Sequence, residues 1–108
     1  MRRAITFPYV AAGNMSADVT GSSIDIKPFS RYSMHAVWTG SPTGTLKLQA
    51  SNDGGDNWED ISGASVATGG SAGSHFFNVS DAGYDAVRAF FDSTSGSGSL
   101  NVDFTGKE

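Results

Sequence analysis

Apolar and polar residues alternate one by one along four stretches of the chain. Tyr32, Met34, Ala36 and Trp38 are interleaved with Ser33, His35 and Val37, and Leu46, Leu48 and Ala50 with Thr45, Lys47 and Gln49. Val87, Ala89 and Phe91 alternate with Arg88, Phe90 and Asp92, and Leu100, Val102 and Phe104 with Asn101, Asp103 and Thr105. A period of two predicts extended strands with one face in a core, because successive side chains of a pleated strand point to opposite sides. Weaker versions occur at residues 23–27, where Ile24 and Ile26 flank Asp25, and at 75–79, where Phe77 and Val79 face inward and Phe76 faces another layer or a partner. Residues 58–61 read as a further strand.

The intervening segments are rich in turn formers. Pro28, residues 39–44, the Asp81-Ala82-Gly83 step and the Ser/Gly run at 93–99 punctuate the pattern. Residues 11–21 read as a loop or weak strand, and the small residues of 63–73 as a loop. Seven or eight short strands separated in this way predict a single two-layer β-sandwich, jelly-roll-like or immunoglobulin-like, with little helix.

The apolar stretch at 5–10 contains Phe7, Pro8 and Tyr9. Proline cannot donate to a ladder, so this stretch belongs at a sheet edge or on an arm that reaches a neighbouring subunit. Phe7 and Tyr9 are the natural anchors of such an arm, and the Arg2-Arg3 pair reads first as a solvated terminus and otherwise as a contact with an acidic neighbouring subunit. Residues 1–22 are accordingly expected to form an N-terminal edge segment or intersubunit arm, and 23–108 the sandwich domain.

Composition narrows the picture. With 108 residues, 38% of them hydrophobic and 14 of them glycine, the chain can hold one domain with a modest core and many turns. The formal charge of −4 discourages direct binding to a nucleic-acid backbone. Without cysteine there is neither a disulfide nor a thiolate. The apolar runs fall well short of the roughly 20 residues a membrane-spanning helix needs, so no membrane association is expected. Met1-Arg2-Arg3 opens like an export signal, but Pro8 interrupts the apolar run that would have to follow, and the segment reads as mature protein.

The sharpest local signature is Ser51-Asn52-Asp53-Gly54-Gly55-Asp56-Asn57-Trp58. Asp and Asn side chains can accept main-chain N–H bonds within the reversal, the glycines tolerate positive φ, and Trp58 supplies an apolar anchor. Ser51, Asp53, Gly55 and Trp58 are therefore structural turn residues. The octet resembles the sialidase-type Asp box, Ser-x-Asp-x-Gly-x-Thr-Trp, with Asn57 in the Thr position. That resemblance implies a folded β-hairpin and carries no sialidase activity with it. One copy in this short chain does not furnish the repeated blades of a propeller.

Catalytic and metal chemistry find little support. His35 and His75 are far apart in sequence, and no motif joins them to a third ligand. Neither a nucleophile elbow nor a phosphate loop is present. Asp53, Asp56, Glu59 and Asp60 form an acidic group that offers oxygens to calcium, yet the alternation of the chain and the structural role expected for Asp53 argue more for a polar hairpin. No catalytic residue, cofactor or metal site is assigned.

Two longer segments, YSMHAVWTGSPTGTLKLQASNDGGDNWEDI and GYDAVRAFFDSTSGSGSLNVDF, resemble small β-sandwich structural proteins of bacterial viruses. The resemblance implies a noncatalytic virion protein, a capsid decoration or cement subunit, that binds a major capsid or other virion protein and forms a homo-oligomer. The competing expectation is a carbohydrate-binding or host-attachment module of a spike or tail, which a solvent-facing tryptophan beside polar side chains would favour.

Overall fold

The computed structural model describes residues 4–26, 29, 31–80 and 84–107. Arg2, Arg3, Pro28 and the Asp81-Ala82-Gly83 step, all singled out in the sequence, lie outside these residues. Nine strands are present and no helix among the described residues: β1 (Ala4–Asn14), β2 (Val19–Thr20), β3 (Ile24–Asp25), β4 (Arg31–Gly40), β5 (Thr43–Ser51), β6 (Glu59–Ala67), β7 (Gly73–Ser80), β8 (Ala86–Ser95) and β9 (Gly98–Lys107). They form two antiparallel sheets packed as a sandwich. One has the order β1-β9-β4-β7; the other has β2-β8-β5-β6, with β3 also on β8.

The pairings are nested. β5 pairs with β6, β4 with β7, β2 and β3 with β8, and β1 with β9. The chain is in effect one long hairpin folded over into two layers, which is the jelly-roll arrangement. Of the two architectures expected from the alternation, nesting selects this one.

All four strong alternating stretches turn the expected face inward. Met34, Ala36, Leu46, Leu48, Val87, Phe91, Leu100, Val102 and Phe104 are fully or almost fully buried. Phe104 is central: its ring packs against Phe7, Phe29 and Tyr32 at centroid distances of 5.1, 5.7 and 5.8 Å. Phe29 also lies over Gly106, where a Cβ would stand 2.8 Å from the ring, so any larger residue would force the ring to move. Trp38 is buried with its Nε1–H donated to the Ser71 carbonyl at 2.9 Å, the partner a buried indole requires.

Two segments differ from their expected form. Residues 63–73 were expected to be a loop, yet β6 runs through Gly63 to Ala67, pairing with Thr45, Leu46 and Lys47 of β5. Its side chains are small and mostly exposed, so the alternation is faint, and main-chain pairing with a well-marked neighbour makes it a strand. Between residues 11 and 21, β1 continues to Asn14, Met15 is fully buried, and β2 follows. The Met15 N–H bonds to the Gly98 carbonyl, and Asp18 accepts the Ser93 N–H, tying this segment to the β8–β9 end of the sandwich.

Candidate functional site

The Ser51–Trp58 turn joins β5 to β6 and is closed by its own side chains. The Ser51 hydroxyl donates to Asp53 Oδ1 at 2.7 Å and accepts the Gly55 N–H at 3.0 Å. Asp53 Oδ1 also accepts the N–H groups of Asp56 and Asn57, and Oδ2 the Asn57 side-chain amide. The Ser51 and Asn57 hydrogen bonds hold the Asp53 carboxyl well below the usual carboxylate range, because each donor favours the charged form. Gly54 and Gly55 take φ of 77° and 96°, the left-handed region the reversal needs. Trp58 Nε1–H returns to the Gly55 carbonyl at 3.0 Å. The four turn residues named from the sequence are thus gathered into one hydrogen-bonded unit.

From Trp58 a continuous row of contacts crosses the outer face of β8, β5 and β6. Arg88 stacks its guanidinium over the half-buried indole, 4.4 Å from the centroid, and donates Nε–H to Gln49 Oε1 at 2.8 Å. Gln49 donates to Asp60 Oδ1 at 3.0 Å, Lys47 donates to Asp60 Oδ2 at 3.2 Å, and the same ammonium stands 5.7 Å from the Phe90 ring. The register makes this possible, since Gln49 faces Arg88 on one neighbour and Asp60 on the other. Bonds from Gln49 and then Lys47 hold the Asp60 carboxyl below its ordinary value. An open depression of about 580 Å³ beside this row is lined by Asn57, Glu59, Ile61 and Tyr84, among others.

The outer face of the other sheet is built differently. Its short side chains include Ser33, Asn101 and Thr105, and Thr6 and Thr105 share a hydroxyl contact at 3.0 Å. Toward the β7 edge, Phe76 stacks nearly parallel on His35 with centroids 4.0 Å apart, and the Phe76 residue is 64% exposed. Val37, on the same face of β4, is also exposed.

Phe7 and Tyr9, the proposed arm anchors, sit in β1, which pairs with β9 of the same chain. Phe7 packs on Phe104, and the Tyr9 hydroxyl donates to the Ser22 carbonyl and accepts the Ala89 N–H, tying one sheet to the other. Burial pushes the Tyr9 phenol up to about 12, against the opposing influence of the Ala89 bond and the Arg88 charge. Both rings are engaged within their own sandwich. Phe76 was named in the sequence only as facing a layer or a partner, and its period-two position was the signal.

The two histidines do not meet: His35 lies on the outer face against Phe76, and His75 packs edge-on to Phe77 at 4.8 Å. Among the described residues no three His, Asp or Glu side chains converge in a way that could hold a metal ion. Asp53 and Asp60, from the acidic group considered for calcium, point at protein donors.

No protein-family model matches the sequence, and comparison with curated proteins finds no match. Solved structures do match in fold. The SPBc2 prophage-derived protein YomS aligns over 100% of this chain and 96% of its own, with a TM-score of 0.65 and 15% identity. The PBSX exported protein XepA aligns over 99% of this chain and 38% of its own, with a TM-score of 0.60 and 13% identity. A structure described under CBM4 structure and function aligns over 97% of this chain and 71% of its own, with a TM-score of 0.51 and 11% identity. At these identities the likeness is one of fold.

Proposed function

We propose that this chain is a noncatalytic structural subunit of a bacteriophage particle, a decoration or cement protein on the virion. The observation that carries this reading is the end-to-end correspondence with a prophage-derived protein of nearly the same extent. The chemistry of the surface supports it. The carboxylates of Asp53 and Asp60 are satisfied by protein donors, which suits a structural role for both. A rigid sandwich with an exposed aromatic pair suits repeated contacts at fixed positions, with a major capsid or other virion protein as partner. Electron microscopy of native particles, with the chain traced into density, is expected to place it at regular sites. Its consistent absence from purified particles would defeat the reading.

A second reading is favoured by one specific observation. Trp58 is half-exposed beside Arg88, Gln49, Asp60 and Lys47, the combination of a flat ring and fixed polar groups by which a sheet face holds a sugar. In this reading the outer face of β8, β5 and β6 binds a surface polysaccharide, and the chain is a host-attachment module. Arg88 and Lys47 already occupy positions over the two rings, so a sugar would have to displace them. Glycan-array binding that disappears in Trp58→Ala would favour this alternative; silence across bacterial surface polysaccharides would remove it.

A further inference from the structure

A two-sheet sandwich has four edges, and three of them are guarded here. β1 carries Pro8, which offers no N–H, and its register with β9 shifts twice, between Pro8 and Val10 and between Val10 and Gly13. β6 begins with Glu59 and Asp60, shifts register opposite Lys47 and Gln49, and passes through Gly63 at φ 80°. β2 and β3 are two residues each. Charge, proline, bulges and shortness are the devices that keep a strand edge from pairing with another chain.

β7 has none of them. Its eight residues, Gly73–Ser80, run in unbroken register with β4 from Ser80 opposite Arg31 to Gly73 opposite Trp38. They include no proline and no Asp, Glu, Lys or Arg. Among the described residues, no strand pairs on the far side of β7. Phe76, the most exposed large apolar side chain of the described residues, stands on this strand.

We propose that two copies of this chain join β7 to β7, antiparallel about a two-fold axis, so that the two four-stranded sheets become one of eight strands. A second copy is the occupant the surface fits, because its other edges are guarded in the same way and only its β7 can present a matching row of N–H and C=O groups. The contact is self-complementary and closes at two copies, so it does not propagate into a fibre. Charge leaves this seam open: each chain carries a formal charge of −4, but β7 holds no Asp, Glu, Lys or Arg, so no ionised pair of like sign meets along it.

The pleat restricts the register. Inward residues must face inward ones, and placing Phe76 opposite Phe76 of the second copy does this throughout. Ser74 then faces Asn78 on the outside, while His75 faces Phe77 and Gly73 faces Val79 on the inside. Phe76 gains an aromatic cross-strand pair, and the core layer continues from one sandwich into the other. In this register seven residues of each β7, Gly73 to Val79, are paired, a length of roughly 24 Å. That is a small interface, so association is expected in the micromolar range.

This inference goes beyond assembly on a particle, and its test uses the purified chain alone, so either idea can fail without the other. The absence of native cysteine makes the test clean. Directly opposed residues of an antiparallel pair have Cα atoms about 4.5–5.5 Å apart, within the span a disulfide bridges. Under mild oxidation, Phe76→Cys is expected to form a covalent dimer at least about tenfold faster than Ser65→Cys, an exposed control on β6, as a directly opposed pair requires. Sedimentation of the unmodified chain up to roughly 100 μM should show a monomer–dimer equilibrium. Phe76→Glu should weaken it about tenfold or more by opposing two carboxylates at the axis, with unchanged circular dichroism. A monomer throughout that range, equal cross-linking of the two cysteine variants, or undiminished dimerisation of Phe76→Glu would each overturn the proposal.

Discussion

The two outer faces of the sandwich rest on one core and treat their polar groups in opposite ways. Across β8, β5 and β6, Trp58, Arg88, Gln49, Asp60, Lys47 and Phe90 form a closed row in which each group is engaged by the next. Across β1, β9, β4 and β7 the side chains are shorter, and the row ends in Phe76 lying on His35 beside a bare strand edge. A surface that has satisfied its own hydrogen bonds gains little from a neighbour, since any new contact must first break an old one. A surface with an unpaired edge and an exposed ring gains main-chain bonds and apolar burial together.

The severest way to break this comparison is to remove what the faces share. Phe104→Ala deletes a fully buried ring in contact with Phe7, Phe29 and Tyr32 and is expected to cost about 3–5 kcal/mol in urea unfolding. Both faces should melt in the same transition; separate transitions would show that each sheet stands alone.

Next in size is the closed row. Arg88→Ala removes the stack on Trp58 and the bond to Gln49, with an expected cost of about 1 kcal/mol. The indole becomes more exposed, which a red shift in Trp58 fluorescence, read in a Trp38→Phe background, should report.

Acid should loosen the same side. In the fold Asp53 and Asp60 lie below their ordinary value of 3.8, so each contributes stability above that pH, and the contribution is lost as pH falls from there through the folded value. Amide exchange at Asp56 and Asn57, taken relative to the intrinsic rate at each pH, is expected to quicken below about pH 4 before that of β4 and β9, as the turn loses its acceptor. Asp53→Asn should show the faster exchange already at neutral pH.

The smallest effect belongs to the open face. Phe76→Ala in the dilute chain should change stability by less than about 0.5 kcal/mol, because that ring is mostly in solvent before any partner arrives. A loss as large as that of Arg88→Ala would erase the contrast between the faces.

The site was legible where its chemistry is local. Ser51, Asp53, Gly55 and Trp58 lie within eight consecutive residues, and their side chains close a turn on neighbouring main-chain groups, which spacing alone reveals. The row beyond Trp58 was hidden for the opposite reason: Arg88 is 39 positions from Gln49, and their meeting depends on β8 lying beside β5. β6 was half-seen because small exposed residues carry no alternation, and Phe7 and Tyr9 were open to two readings because an aromatic at an edge suits its own core as well as a neighbour's.

Sequence by itself determined the strands with a buried face and the side each residue takes, from Tyr32 to Trp38, Leu46 to Ala50, Val87 to Phe91 and Leu100 to Phe104. It could do so because the pleat turns composition into direction within a few residues. Only the tertiary structure decided that the pairings nest, that Arg88 reaches Trp58, and that β7 is the edge left unguarded. Those outcomes rest on contacts between strands far apart in the chain, and a local period of two is the same whichever strand lies alongside.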